Sequence, residues 1–575
     1  MNLPDVWGAG ALFCFSGLDG KNLYSDDFCG TLSGDRIGII FHTPVIQELH
    51  FCLNNVKDTH MHAVTSDWIH VDITGSNGHN HPLRIIFKEQ HLIIGDCGEN
   101  VIPNLHFYGD FTEESLDNIR IFTSKGHITA LGIKHCSGRI SFAFAHGHEK
   151  DAVLQLCSKG LQEDINEAET EKLNFLKNLP KVQGDELIES LFYKCCSVMK
   201  SQVYTAEGPF KGYWTTPDRL PHKKMWLWDS VFHSLGNYIL SERLAEDSIM
   251  APLDIASKDG FIPHMADIYG TSKITQPPVL AYGIWKLFEK NRNRQLLSKT
   301  YDRLKSYLIW NKENRDSNKN NLFEWAVSED PNCRCDECGM DNSPRFDDKP
   351  VLDAIDFSCF MANETRYMAY IANELNMPEE AKFWSEWHEE IKDAVNSILW
   401  DENDGFYYDF DVNKGELKKV QSVASFLPLF AGVCDHRQAA LLVAALKDES
   451  RFFTPLGVPS IAVSDSTYGT DMWRGPVWIN YNYMIAEGLR EYGYDSLADF
   501  IIDKTIRTVA FWYAHDGVIY EFYESQNRVS PQKLSRKGPA VNPYNIRIRM
   551  QTIRDYGWSC TLVADMIYRY YGTGE

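Results

Sequence analysis

Two acidic residues stand out by their settings. Asp341 lies in Gly339-Met340-Asp341-Asn342-Ser343-Pro344-Arg345-Phe346-Asp347, a stretch that resists helix because Gly339 loosens the backbone and Pro344 removes a helical N–H. Glu521 lies in Tyr520-Glu521-Phe522-Tyr523-Glu524-Ser525, a loop that follows the turn Asp516-Gly517. A pair of carboxyl groups is what hydrolysis of an acetal requires. One, held protonated by burial or a neighbouring negative charge, protonates the leaving oxygen; the other stays ionised and serves as base or nucleophile. Glu337, Asp347 and Asp348 are close to Asp341 in sequence and are expected to supply that negative charge. Glu521, between two aromatic residues, is the better placed base, and Glu524 is its rival. An Asp in an Asp-Asn-Ser-Pro loop is more often a turn residue bonding its own backbone, so the pair needs support from the rest of the chain.

The chain's size and composition narrow the setting. Its 575 residues exceed one ordinary core and imply two large units, or a large helical barrel with an appendage. The aromatic share is 13%, with 15 Trp and 27 Tyr, which suits stacking on sugar rings as well as packing. A formal net charge of −22 argues against nucleic-acid and anionic-membrane partners and fits a neutral substrate better, such as the small carbohydrate that acetal hydrolysis implies. Met1 to Leu12 lack the basic start and apolar run of a signal peptide, and no 18-residue apolar stretch occurs elsewhere. A soluble, cytoplasmic protein is therefore expected, of unspecified oligomeric state. The 14 Cys form no repeating framework and are read as reduced thiols. Cys333-x-Cys335-x-x-Cys338, with Cys359 beyond, offers thiolates for zinc, but its spacing is not that of a paired CxxC set. No metal and no cofactor are expected.

The elements that must position the two acids come in two kinds. Residues 36–41, 68–73, 83–87, 127–133 and 139–144 are short, rich in β-branched or aromatic residues and separated by turns such as Ser76-Asn77-Gly78 and Ser137-Gly138. They predict an antiparallel β-sandwich over 1–158. An acidic linker helix follows over 159–185, and from Glu186 the helical period takes over. Helices are predicted over 186–203, 231–239, 279–289, 297–310, 352–375, 379–399, 438–446, 479–492, 496–511 and 558–570. Paired in this way they would close an (α/α)6 barrel over 186–575. Asp229 or Ser230, after Met225-Trp226-Leu227-Trp228, is suited to cap one of these helices.

The loops of this barrel carry a resemblance. Trp228-Asp229, Gln276-Pro277-Pro278, Gly339 to Arg345, Trp473-Arg474-Gly475-Pro476-Val477-Trp478 and the Glu521 loop, in that order over residues 222–570, resemble glycoside hydrolase family 63. The resemblance implies an (α/α)6 barrel and an inverting, exo-acting α-glucosidase, with Asp341 as general acid and Glu521 as general base. It also implies that Trp226, Trp228, Asp229, Trp473, Arg474 and Trp478 line the sugar pocket, with Gln276 and Trp558 at its rim. Cys338 stands where the family carries a small residue. A glycerate leaving group would need cations near the acid, for which Lys223, Lys224 and Arg345 are the sequence neighbours. The competing readings are a glycoside phosphorylase of the same layout, in which phosphate replaces water, and a sugar-binding protein without catalysis.

Overall fold

The computed structural model describes residues 1–53, 56–75, 78–136, 138–538 and 550–573. The expected turn residues Ser76, Asn77 and Ser137 lie outside this set. The N-terminal part consists of β1 (Leu12–Cys14), β2 (Cys29–Leu32), β3 (Gly38–Thr43), β4 (Gln47–Leu53), β5 (Val56–Val64), β6 (Trp68–Gly75), β7 (Asn80–Glu89), β8 (Leu92–Gly98), β9 (Val101–Phe107), β10 (Thr112–Leu116), β11 (Ile119–Ser124), β12 (His127–Cys136) and β13 (Arg139–Gly147). They form one antiparallel sheet in the order β1-β2-β3-β4-β9 and another in the order β10-β11-β12-β13-β8-β7-β6-β5. Alternation sets the faces: Ile69, Val71 and Ile73 of β6 are buried, whereas His70 and Asp72 turn outward. The sheets meet through aromatic pairs, Phe41 with Phe144 at 5.2 Å and Phe51 with Phe142 at 5.3 Å between ring centres. Such pairs add about 1 kcal/mol each beyond the area they bury.

Helices α1 (Lys150–Gly160) and α2 (Ile165–Lys177) follow, so helix begins at Lys150, ahead of the linker helix expected from residue 159. α1 packs on β13 through the stripe Val153, Cys157 and Gly160. The remaining helices are α3 (Glu186–Ser201), α4 (Leu227–Asn237), α5 (Glu242–Asp254), α6 (Leu280–Asn291), α7 (Arg294–Arg315), α8 (Ile355–Glu374), α9 (Pro378–Ile398), α10 (Leu427–Ala431), α11 (His436–Leu446), α12 (Ile479–Glu491), α13 (Asp495–Asp516) and α14 (Gly557–Tyr571). Contacts run from α4 to α6, then α8, α10, α12 and α14, and from α14 back to α4. α4 is buried along its whole length, and α12 and α14 nearly so, as expected for interior helices; α9 buries only one stripe. α5, α7, α9, α13 and α3 pack against α4, α6, α8, α12 and α14 respectively.

α5 and α10 lie outside the predicted helices for different reasons. Pro252 inside the first argues against helix although the helix runs on to Asp254, and the second is only five residues long, too short to show a helical period. Asp229 and Ser230 do not cap α4. The helix starts earlier, at Leu227, and the side-chain oxygen of Gln276 accepts the N–H of Trp228 at 3.3 Å, the service a cap would give. No helix among the described residues is long and apolar enough to cross a membrane.

The strand domain is fastened to the helices beneath the site. Asp555, fully buried, accepts the Leu12 N–H of β1 at 2.8 Å, the Lys194 ammonium of α3 at 2.9 Å and the Ile519 N–H at 3.1 Å. Arg219 pairs with Asp27 in a buried contact and donates to the carbonyl of Ser201 at 2.6 Å. Phe13, Phe15 and Ser16 are buried.

Candidate active site

Asp341 is held by a loop whose every turn has a partner. Gly339 has φ +73°, and a Cβ there would lie 2.4 Å from Cζ2 of Trp228, so only glycine fits. The Asp341 carbonyl accepts the Cys335 N–H at 3.1 Å, and the Met340 carbonyl accepts the Ser343 N–H at 2.9 Å. Pro344–Phe346 forms a single 3-10 turn that sends Arg345 into the interior. Its guanidinium meets Asp356 at 2.6 and 2.8 Å and Asp409 at 2.8 and 2.7 Å, four charge-assisted bonds with all three side chains buried. Asn342 accepts the Trp473 N–H at 2.9 Å and so joins the acid loop to the next one.

Glu521 is set by two neighbouring segments. Its N–H donates to the carbonyl of Ile553 at 3.0 Å, and two residues on, Tyr523 exchanges backbone bonds with Val477 at 2.7 and 3.1 Å. The Glu521 carboxylate is 2% exposed and receives Arg536 on both oxygens, Nε at 2.7 Å and Nη2 at 3.1 Å. Arg536 Nη2 also lies 3.0 Å from Nε2 of His222, whose Nδ1 is 2.8 Å from Asp218. Burial, and then the Arg536 charge, depress His222 below its ordinary value.

Both carboxylates open into one cavity of about 690 Å³, mouth included. Trp226, Trp228, Asp229, Gln276, Trp473, Trp478 and Trp558 line it as well. Trp473 and Trp478 stack at 3.7 Å and 3°, and Trp558 stands edge-on to Trp228 at 5.2 Å. Nε1 of Trp226, Trp473 and Trp558 and Oδ1 of Asp229 are buried with no hydrogen-bond partner among the described residues. Buried polar atoms rarely go unpaired, and four on one cavity offer three donors and a carboxyl to hydroxyl groups. Burial raises Asp229 well above the carboxylate range, and the nearby Glu521 adds to the effect.

Several expectations are corrected by this geometry. Arg474 is not among the lining residues; its guanidinium is turned to Asp347 at 2.5 Å. That pair also takes Asp347 away from the acid, and Glu337 is likewise taken by Arg315 at 2.6 Å. The acidic neighbour on the cavity wall is Asp336, raised by burial and then by Asp341. Lys223 pairs with Asp27, Lys224 with Asp267, and Arg345 is sealed between its two aspartates, so none faces the acid. The cation that does is Lys537, whose Nζ lies 2.6 Å from Asp341 and 2.6 Å from the Cys333 sulfur. Glu524 is turned to its own loop, accepting the Arg528 N–H at 2.6 Å. Cys335 and Cys338 are free, buried thiols, Cys338 donating to the Cys335 carbonyl at 3.1 Å, and no three of the segment's thiols converge among the described residues. Burial, reinforced by Asp341, pushes the Cys333 thiol up, which keeps it protonated.

Residues 222–559 match the family described as the mannosylglycerate hydrolase MGH1-like glycoside hydrolase domain. The chain belongs to glycoside hydrolase family 63. A mannosylglycerate hydrolase from Thermus thermophilus is 27% identical over 373 residues, covering 50% of this chain and 86% of the relative. A crystal structure titled as the family 63 mannosylglycerate hydrolase of Thermus thermophilus with Tris and D-glycerate superposes with TM-score 0.54 at 23% identity, over 65% of this chain and 99% of that one. A bacterial glucoamylase complexed with acarbose superposes over 99% of this chain and 98% of its own, with TM-score 0.60 and 11% identity. The likeness in fold thus extends through the strand domain as well as the helices.

This family 63 chain is a glycoside hydrolase, and the sequence reading missed part of its cavity. His222, His264, Arg536, Lys537 and Tyr556 line it beside the expected residues. The signal for Arg536 and Lys537 was a basic pair ending in Gly538, conspicuous in a chain of net charge −22. His264, depressed to about 4 by burial, is neutral at ordinary pH, and its ring stands edge-on to Trp226 at 5.0 Å. Among the described residues the lining begins at His222, so the strand domain supports the site without entering it.

Proposed function

We propose that the chain is an exo-acting, inverting α-glycosidase that releases a terminal glucose, with Asp341 as general acid and Glu521 as general base. The observation that carries this reading is the convergence of two carboxylates, from loops 180 positions apart in sequence, on one indole-walled cavity with unpaired polar atoms. The proposed layout is an (α/α)6 barrel behind a β-sandwich, which the return of the helix contacts from α14 to α4 supports.

Each residue then has a task. The indoles cover the apolar faces of the sugar while their N–H groups and Asp229 take its hydroxyls. Asp341, at the wall shared with Lys537, Cys333 and Asp336, gives its proton to the glycosidic oxygen. Glu521, fixed in direction by Arg536, takes the proton of a water attacking from the opposite side, so the anomeric centre inverts. Arg536 is a positioning residue for Glu521. A leaving group bearing a carboxylate, such as the glycerate named for the relatives, would meet Lys537 beside the acid.

Proton NMR of hydrolysis tests the reading, with α-linked glucose disaccharides, glucosylglycerate and mannosylglycerate, each with and without phosphate. β-Glucose as the first anomer, independent of phosphate, is the expected result. First release of the α anomer would overturn inversion, a phosphate-dependent sugar phosphate would make the enzyme a phosphorylase, and preferred release of mannose would overturn the assignment to glucose.

A further inference from the structure

The outer face of the eight-stranded sheet carries a group of side chains with no part in the cavity. β5 is the edge strand of that sheet and pairs with β6. The pairing shifts register twice, between Val56 and Asp58 and between Met61 and Ala63, and the second shift sets His62 apart as the extra residue of a bulge. Bulges re-aim a side chain and gather at functional positions. Here the bulge brings His62 beside the outward residues of β6: its Nε2 is 2.8 Å from Asp72, and its ring centre is 4.9 Å from that of His70. One ligand atom from each of His62, His70 and Asp72 lies within 4.8 Å of the other two. His60, opposite Asp72 in the register, has its ring 4.5 Å from His62.

A second observation comes from behind this group. Nδ1 of His70 lies 2.8 Å from Glu169 of α2, and the other oxygen of Glu169 accepts Arg84 at 2.8 Å. Arg84 is buried and is itself held by Asp96 at 2.8 and 2.7 Å. A carboxylate beside one ring nitrogen leaves the other nitrogen as the ligand atom, the arrangement that supports histidine ligands of metals. A solvated charge pair would not need the buried Arg84–Asp96 brace.

We propose that His62, His70 and Asp72 bind a divalent transition metal of the zinc, copper and nickel class, which imidazole with carboxylate suits, with His60 or water completing the sphere. Nε2 of His70 is the ligand atom and Glu169 its supporting carboxylate. The ion ties the edge strand β5 to β6 and, through Glu169, to α2, so its binding free energy adds to the stability of the strand domain.

The test uses the full chain and two readouts that do not depend on hydrolysis. Titration with Co²⁺ is expected to give one equivalent with d–d absorption and no thiolate-to-metal charge transfer. Zn²⁺ is expected to raise the melting temperature. His62→Ala with His70→Ala, both on the outer face, should abolish both signals while circular dichroism stays unchanged, and Glu169→Gln should weaken binding by about 10 to 100-fold. Equal binding by the double variant, absence of saturable binding, or charge-transfer bands showing thiolate ligands at the only site would each overturn the proposal.

Discussion

Lys537 Nζ lies 2.6 Å from Oδ2 of Asp341, so an ammonium touches the carboxyl group assigned to proton donation. Burial alone would lower Lys537, but Asp341 and Cys333 raise it, and it is charged throughout the working range. Lys537→Met removes the cation beside the acid and should lower kcat/KM, most steeply for a substrate whose leaving group carries a carboxylate. An equal loss for charged and neutral leaving groups would show that Lys537 does not meet the leaving group.

Asp341→Asn and Glu521→Gln keep size and remove ionisable function. Each should lower kcat by about 10² to 10⁴-fold, the range of general acid–base catalysis, with far-UV circular dichroism unchanged. Glu524→Gln is the control, because Glu524 is turned to the Arg528 N–H rather than lining the cavity. If Glu524→Gln proved as damaging as Glu521→Gln through kcat alone, the base assignment would have to move.

The contrast between these two glutamates shows how far the sequence was legible. Short motifs around glycine, proline and tryptophan mark loops and cavity walls, because glycine allows backbone that other residues avoid, proline fixes its own, and tryptophan demands a large apolar surface. Trp226, Trp228, Trp473, Trp478 and Trp558 accordingly all line the cavity. Ion pairing is different, since it depends on which loops meet. Arg474 and Asp347 are 127 positions apart, and Lys537 and Asp341 are 196 apart, yet each pair is in contact. No local pattern announces such partners, so the cations read as neighbours of the acid were the wrong ones. Helices α5 and α10 were illegible for local reasons: Pro252 inside α5 is a signal against helix that tertiary packing overrides, and α10 is five residues long, too short to show a helical period.

Arg345 anchors the acid loop from below, and its removal should be costly. Arg345→Met would leave Asp356 and Asp409 buried and facing each other without a cation, at a cost of about 3 to 5 kcal/mol. Arg345→Lys should rescue only part of it, because one ammonium cannot make two forked contacts. Urea denaturation followed by tryptophan fluorescence measures both. Similar midpoints for wild type and Arg345→Met would show that the four bonds contribute nothing net.

Glu364 supplies a pH dependence independent of the active site. It extends from α8 to the start of α6, where its oxygens accept the N–H groups of Ala281 at 2.7 Å and Tyr282 at 2.9 Å. Complete burial outweighs these bonds and raises it from 4.5 to about 7. Below about 4.5 folded and unfolded chains both hold the proton, so the group has no effect on stability there. Between about 4.5 and about 7 only the folded chain keeps it, and folding stability falls by about 1.4 kcal/mol per pH unit. Above about 7 the loss is complete and constant. Glu364→Gln cannot ionise and leaves one helix N–H less well satisfied, so it should be less stable than wild type at pH of about 4.5. The difference should then shrink, or reverse, by pH of about 7. Unfolding curves of the two proteins that stay parallel across this interval would mean that Glu364 is ionised in the folded chain throughout, with the α6 N–H groups outweighing burial.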